Sequence, residues 1–275
     1  MSAHTILGRL GLALGVFLIV SPAILFFLWM ISLSVKFEVD NAAYPPVFWP
    51  EHFAWKNYTD VLSSNRFFTY FKNSLLVTGG ATALAMLVGV PAGYGIARMA
   101  AHKSAIVILI ARITPGLSYL IPLFLLFQWL GLLGTLWPQI IIHLVVTVPI
   151  VIWIMIGYFA SIPKELDEAA IIDGASWLQT LTRIFIPVAL PGLIAATIFA
   201  FTVSWAQFLY PLVFTTSADQ LVLPVGIVTT LIKGDVFNWG QIMTGALLGA
   251  APPLIIYAFL MDYYIAGLTA GATKG

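Results

Sequence analysis

The side chains able to do chemistry are few, and they are bunched. Residues 161–186 hold Lys164, Glu165, Asp167, Glu168, Asp173 and Arg183, the densest polar patch in the chain. His4, His52, His102 and His143 are too scattered to gather a metal, and cysteine is absent. Thiolate metal centres, disulfides and Cys nucleophiles are therefore excluded. No G-x-x-x-x-G-K-[ST] phosphate loop occurs, so the chain carries no ATP site of that kind. His143 is the one ionisable side chain between Ile113 and Pro163, which makes it a functional candidate; a neutral imidazole bonded between helices is the competing use. Ser204, Trp205, Gln207, Phe208 and Tyr210 mix neutral hydrogen-bonding groups with aromatic faces, a chemistry suited to sugar hydroxyls and rings. Aromatic packing or interface anchoring competes with that use. No His or acid cluster is placed to act as a base or hold a metal, which disfavours an intramembrane enzyme.

The elements that position these groups belong in a membrane. Of 275 residues only 8 % are charged, and 61 % are hydrophobic; soluble domains carry about 25 % and about 45–50 %. Twelve Lys and Arg against eleven Asp and Glu leave a formal +1, too little to draw a nucleic acid. The apolar excess excludes disorder. Charge-free runs at Leu10–Val35, Asn73–Ala97, Ile113–Pro163, Ile184–Ala218 and Val236–Met261 are each long enough to cross a bilayer. The third holds Gly131, Gly134, Thr135 and Pro138 between Trp129 and Trp137, a turn flanked by interfacial aromatics. Six spans are thus predicted, near 11–35, 73–97, 105–129, 137–160, 187–214 and 241–261, which puts both termini on one side. The first run is too long for a signal-peptide core and reads as a retained anchor. With the termini cytoplasmic, Arg9, Arg98, Lys103, Lys164, Arg183 and Lys274 face inward, a slight excess over Lys36, Lys56, Arg66, Lys72 and Lys233 outside. Arg112 falls two turns into the third span. Gly11/Gly15, Gly89/Gly93 and Gly245/Gly249 have the spacing for close helix approach, within the bundle or at a subunit seam.

The inward patch reads as two short helices and a bend. Pro163 suits a first turn and Glu165 with Asp167 complement the dipole; the helix ends near Gly174, suited to a left-handed cap. Ser176 with Gln179 matches a capping box, and Trp177, Leu178, Leu181, Ile184 and Phe185 give the next helix an apolar face before Pro187. Such a unit lies on the membrane surface or plugs into a partner. Glu168 is past the dipole's reach and in the weaker orientation to Lys164, while Ala169 and Ala170 would admit another surface. Outside, 36–72 and 215–240 carry aromatics and mixed charge, and Asp219, Lys233 and Asp235 are candidate contacts for an external protein.

Glu168-Ala169-Ala170-x-x-Asp173-Gly174-Ala175, followed by Ile184 and Pro187, resembles the EAA loop of permease subunits of ABC importers. Asn57-Tyr58, Asn73-Ser74-Leu75, Tyr94 with Ala97-Arg98, Ile121-Pro122-Leu123, Leu223-Pro224-Val225-Gly226-Ile227 and the tail Gly267-Leu268-Thr269-Ala270-Gly271-Ala272 are similar to the carbohydrate-type subclass. The resemblance implies an all-α membrane protein of six transmembrane helices, a type I importer permease bundle formed by one domain over 1–275, with cytoplasmic coupling helices. It also implies a second permease subunit, two ATPase subunits carrying the ATP and Mg, an external solute-binding protein, and residence in a bacterial inner membrane. Glu168, Ala169, Ala170, Asp173 and Gly174 would couple to the ATPase. The cargo would be a sugar or small oligosaccharide, a disaccharide such as trehalose being the nearest likeness. Where many members have Trp-Asn and then an acid, this chain has Trp205-Ala206-Gln207, so that acid's role has no counterpart here. The rival reading is a self-contained ion-coupled transporter using His143 or Arg112.

Overall fold

The computed structural model describes residues 3–64, 66–113, 116–233 and 236–272, with side chains apart from those at 3–10, 64, 102, 111–113, 233, 236 and 262–272. Helices run in the order α1 (Ala3–Ser34), α2 (Glu38–Asn41), α3 (Lys56–Ser64), α4 (Phe67–Arg98), α5 (His102–Ile113), α6 (Leu120–Trp129), α7 (Trp137–Ser161), α8 (Glu165–Ile172), α9 (Trp177–Gln179), α10 (Ile186–Val188), α11 (Leu190–Trp205), α12 (Leu209–Phe214), α13 (Leu223–Leu231) and α14 (Trp239–Ala272). Turns of 3-10 helix lie at Gly116–Tyr119 and Ala218–Gln220, and a π-helical turn at Thr180–Phe185. Strands β1 (Ile232–Lys233) and β2 (Val236–Phe237) form an antiparallel ladder with Ile232 opposite Phe237.

Among the described residues, Gly11–Ser34, Phe67–Arg98, Trp137–Ser161 and Trp239–Met261 are each long and apolar enough to cross a membrane. The turn expected between the third and fourth spans is present, with Gly131 at φ +67° and Gly134 at φ +90°. Two expected spans are not single straight helices. The third is α5, then a 3-10 turn, then α6, with residues 114–115 outside the description. The fifth, expected as one helix over 187–214, bends by 83° between Trp177–Val188 and Leu190–Trp205, and is interrupted at 206–208 before α12. Proline explains both breaks, because its ring lacks a donor and clashes with the carbonyl four residues earlier. Pro187 and Pro191 flank the bend at Ala189, and Pro211 disfavours a helical carbonyl at Gln207.

Packing divides the chain into two units, residues 1–67 with 227–249 and residues 68–226 with 250–275. In the first, the carbonyls freed at the end of α1 are collected by Asn57, whose Nδ2 donates to Ser34 O and Lys36 O, both at 2.9 Å. Gly240 lies so close to Asn57 that a Cβ there would sit 2.3 Å from Nδ2, and its N–H donates to Glu38 Oε1 at 2.6 Å. Lys36 is buried, donating to Val47 O at 2.7 Å with its ammonium 4.7 Å from the centre of the Trp29 ring. Burial pushes that ammonium below the ordinary lysine value, and the charge of Asp40 opposes the shift.

The second unit is built around α7. Gly89 and Gly93 of α4 lie against Val151 and Met155 of α7, and Gly192 of α11 lies against the Tyr158 ring. Ala85, Ala196 and Ala200 complete a buried cluster with Phe159, Leu181 and Phe185. Lipid is as apolar as leucine, so these helices gain from close approach of small residues rather than from the hydrophobic effect. Gly89/Gly93 is thus a packing motif within the unit, whereas a Cβ on Gly11 or Gly15 would meet nothing. A Cβ on Gly93 would lie 2.7 Å from Met155 Cβ, and one on Gly95 would meet nothing within 4 Å. Gly93→Val should therefore lower stability by roughly 1–3 kcal/mol. The check is the thermal midpoint of the detergent-solubilised chain, which should fall for Gly93→Val and hold for Gly95→Val.

Candidate functional site

The polar loop 161–186 closes as its sequence directs. Gly174 takes φ +73°, and Ala175 N–H donates to Ala170 O at 2.9 Å while Gly174 N–H donates to Ile171 O at 3.0 Å. This pair of bonds is the Schellman closure, which needs a residue free to adopt the left-handed region. One step on, Ser176 N–H donates to Gln179 Oε1 at 2.8 Å and Gln179 N–H to Ser176 Oγ at 3.4 Å, the expected capping box. Glu168, Ala169 and Asp173 are exposed and Ala170 is buried. Ile171 and Ile172 are 71 % and 85 % exposed, with Trp177 and Leu178 exposed beside the bend. After α9 the helix widens into the π turn, a feature with no sequence signal, before reaching Pro187.

Two side chains near the end of α4, Arg98 and Tyr94, fix this loop to the rest of its unit. Arg98 Nε lies 3.0 Å from Asp167 Oδ2, and Arg98 Nη1 donates to Ile162 O at 3.0 Å. The guanidinium carbon lies 4.4 Å from the centre of the Phe185 ring. Tyr94, one turn earlier, donates to Asp167 Oδ1 at 3.0 Å and packs its ring on Phe159, Trp177 and Phe185 with centroids 5.0–5.5 Å apart. The sequence marks Tyr94 and Arg98 only as part of a resemblance. Their partners lie far along the chain, and no spacing rule links them.

Midway along the unit, the break at 206–208 changes the arrangement expected of the fifth span. Ser204, Gln207 and Tyr210 do not share one continuous helical face, because α11 stops at Trp205 and α12 begins at Leu209. The His143 imidazole brings two of the three together instead. Its Nδ1 shares a 2.7 Å hydrogen bond with Ser204 Oγ, and the Tyr210 ring centre lies 6.3 Å from its own. His143 is 1 % exposed and its Nε2 has no hydrogen-bond partner. Trp205 is buried and stacks on Phe201 rather than on Phe208, which is exposed. Gln207 is half-buried. The Arg112 side chain lies outside the described residues.

At the opposite end of α4 in the same unit, a set of buried amides and hydroxyls grips the loop before α13 by its backbone. Asn73 Nδ2 donates to Asp219 O at 2.7 Å and Leu221 O at 2.9 Å, and Ser74 Oγ accepts Leu223 N–H at 2.8 Å. Gln139 Nε2 donates to Gln220 O at 3.0 Å and Thr215 Oγ1 at 3.1 Å. Gly226 lies under the Tyr70 ring, where a Cβ would sit 2.2 Å from a ring carbon. Lys233 belongs to the other unit, in β1, while its side chain and Asp235 lie outside the described residues.

The fold matches a chain of the bacterial ABC transporter that imports the acidic polysaccharide alginate, with a TM-score of 0.75 over 95 % of this chain and 96 % of that one, at 21 % identity. This is the type I importer permease fold. Residues 85–269 match the binding-protein-dependent transport system inner membrane components, and the chain belongs to that family. It is similar to the inner membrane ABC transporter permease protein YcjP of Escherichia coli, at 31 % identity over 98 % of both chains. The trehalose/maltose transport system permease protein MalG of Thermococcus litoralis is 30 % identical over 98 % of both, and the diacetylchitobiose uptake system permease protein DasC of Streptomyces coelicolor 29 % over 90 % of both. The protein is therefore a multi-pass, non-catalytic permease subunit of the inner membrane. Family membership overturns the reading of a self-contained ion-coupled transporter.

Replacing Asn73 by Leu strips the Asp219 and Leu221 carbonyls of their side-chain donor, at a cost of about 1 kcal/mol. Amide exchange at 219–223 should rise in Asn73→Leu while exchange within α7 stays as in the wild type, measured by mass spectrometry in detergent.

Proposed function

We propose that the chain forms half of the pore of an ATP-driven importer for a sugar or small oligosaccharide, best matched by a disaccharide such as trehalose. The relatives named for trehalose and maltose and for diacetylchitobiose support the cargo class. The whole of 1–275 acts in this reading as one permease domain, paired with a second permease subunit in a bacterial inner membrane with both termini cytoplasmic.

The observation that carries the reading is the loop 165–179. It exposes Ile171, Ile172 and Leu178 around a bend whose shape is fixed by its own hydrogen bonds. Exposed apolar groups on a preformed cytoplasmic element fit a groove in a partner protein. The partner is an ATPase subunit, two per importer, holding the ATP and Mg. Glu168 and Asp173 would supply charge at the rim of the contact, Ala169 the room for close approach, and Gly174 the angle between the helices. Ala170, buried, would set the back of α8.

Ser204, Trp205, Gln207, Phe208 and Tyr210 are proposed to border the solute pathway. The unsatisfied Nε2 of His143 beside Ser204 supports a polar visitor there, since a buried polar atom without a partner is costly. Asp219, Lys233 and Asp235 are proposed to face the external solute-binding protein. Backbone capture of Asp219 by Asn73 supports this for the first, because it leaves the Asp219 carbonyl occupied and the loop ordered.

The test is assembly. Co-expressed with its second permease and ATPase, the tagged chain should co-purify with both from mild detergent. Gly174→Val places a β-branched residue at φ +73°, a strain of about 1–2 kcal/mol. Combined with Glu168→Ala, it should release most of the ATPase while retaining the second permease. Full retention of the ATPase with wild-type uptake would sink the docking assignment.

A further inference from the structure

The two gripped loops of the second unit are held by the same helix. At its outer end α4 presents Asn73 and Ser74, which capture the backbone at Asp219, Leu221 and Leu223. At its inner end it presents Tyr94 and Arg98, one turn apart on one face, which capture Asp167, Ile162 and the aromatic rings under α9 and the π turn. The 26 residues from Asn73 to Arg98 lie in one continuous helix that accommodates Pro91, about 37 Å of rise. Between the two ends, Gly89 and Gly93 let α4 lie directly against Val151 and Met155 of α7, and Val90 and Tyr94 of α4 are buried in the same cluster.

We propose that α4 is the rod that couples the outer loop 215–223 to the cytoplasmic loop 165–185, with Asn73 and the Arg98–Asp167 ion pair as its two clasps. The proposal deepens the reading of the chain as an ATPase-docked permease and rests on it. Each clasp holds backbone or charge of the loop it joins, and the inner one also rests on the Phe185 ring. The inner clasp is directional. Arg98 is 11 % exposed and Asp167 22 %, so the pair works in surroundings where an unpaired charge is disfavoured. A push on α8 that moves Asp167 therefore carries Arg98 with it rather than leaving it behind. The guanidinium serves three neighbours at once, with the Asp167 carboxylate 3.0 Å from Nε, the Ile162 carbonyl on Nη1 and the Phe185 ring 4.4 Å from its carbon, which a compact ammonium cannot do. Arg98 and Asn73 are positioning residues: neither is placed to touch solute or nucleotide.

The experiment uses the complete importer, reconstituted in lipid nanodiscs, and reads three quantities: the ATPase retained, basal hydrolysis, and stimulation by the solute-loaded binding protein. Arg98→Gln and Asp167→Asn should each retain the ATPase and basal hydrolysis while cutting stimulation about tenfold, within the usual span of coupling between sites. The double variant should lose no more than either single, and adding Asn73→Leu to Arg98→Gln should deepen the loss less than twofold, because both ends act through one rod. Tyr94→Phe, which keeps every ring contact and removes a single hydrogen bond, should cost roughly threefold and covers the case in which Arg98→Gln fails to fold. Stimulation within twofold of wild type in Tyr94→Phe and Asp167→Asn overturns the proposal. So do losses at Asn73 and Arg98 that multiply, which would mean independent effects. ATPase loss in the Arg98 or Asp167 variants alone also overturns it, by reducing the ion pair to a brace for the loop's shape. An ATPase absent from the wild-type complex overturns the docking reading itself and the coupling with it.

Discussion

Inside a bilayer a polar group that lacks a partner in the protein has no water to turn to, and that constraint decides where this chain spends its few polar side chains. They are spent at helix ends. Asn57 closes the carbonyls of α1; Asn73, Ser74 and Gln139 close the backbone of the loop before α13; Arg98 closes the last carbonyl region of α7 at Ile162. Each contact joins a side chain to another segment's backbone, so the segments are held by hydrogen bonds that any sequence in the partner loop would offer. The apolar contacts between spans are then free to be shallow, made by Gly89, Gly93, Gly192, Ala196 and Ala200. A helix packed through small residues has few interlocking side chains to hold it in one register.

Lys36 and Arg98 show how differently lysine and arginine are used. Lys36 has a carbonyl and an indole face and serves to tie the segment after α1 back onto that helix. Arg98 has a carboxylate, a carbonyl and a phenyl face drawn from three different elements. A compact ammonium suits the first task and a planar fork the second. The carboxylate of Asp167 is also shared with Tyr94, so the inner joint is a network rather than a pair, and removing one member strands the others.

Local rules reached a good part of this from sequence. The charge-free runs located the membrane helices, Gly131 and Gly134 marked a real turn, and the Gly174 cap and the Ser176–Gln179 box formed as their spacing requires. These are features whose physics is complete within five or six residues. The fifth charge-free run is not one straight helix, because absence of charge reports solubility in lipid and not straightness, and Pro187, Pro191 and Pro211 carry the breaks. For the same reason the shared face of Ser204, Gln207 and Tyr210 does not exist, and what gathers Ser204 and Tyr210 is His143, an interhelical partner 61 residues away from the serine. The clasps on α4 were out of reach for local reasoning: Asn73 meets a carbonyl 146 residues on, and Tyr94 a carboxylate 73 residues on.

The central claim is that the bend at Gly174 faces the cytoplasm and lies in an ATPase. The chain has no cysteine, so a single introduced thiol reports without background. Ile172, 85 % exposed beside the bend, can be replaced by cysteine and treated in inside-out vesicles with a short bifunctional maleimide reagent. The expected result is one adduct of the combined mass of this chain and the ATPase subunit, with an extent that changes when nucleotide is added. Labelling of Ile172→Cys by a membrane-impermeant maleimide in intact spheroplasts, with no ATPase adduct in vesicles, would place the loop outside and contradict the claim.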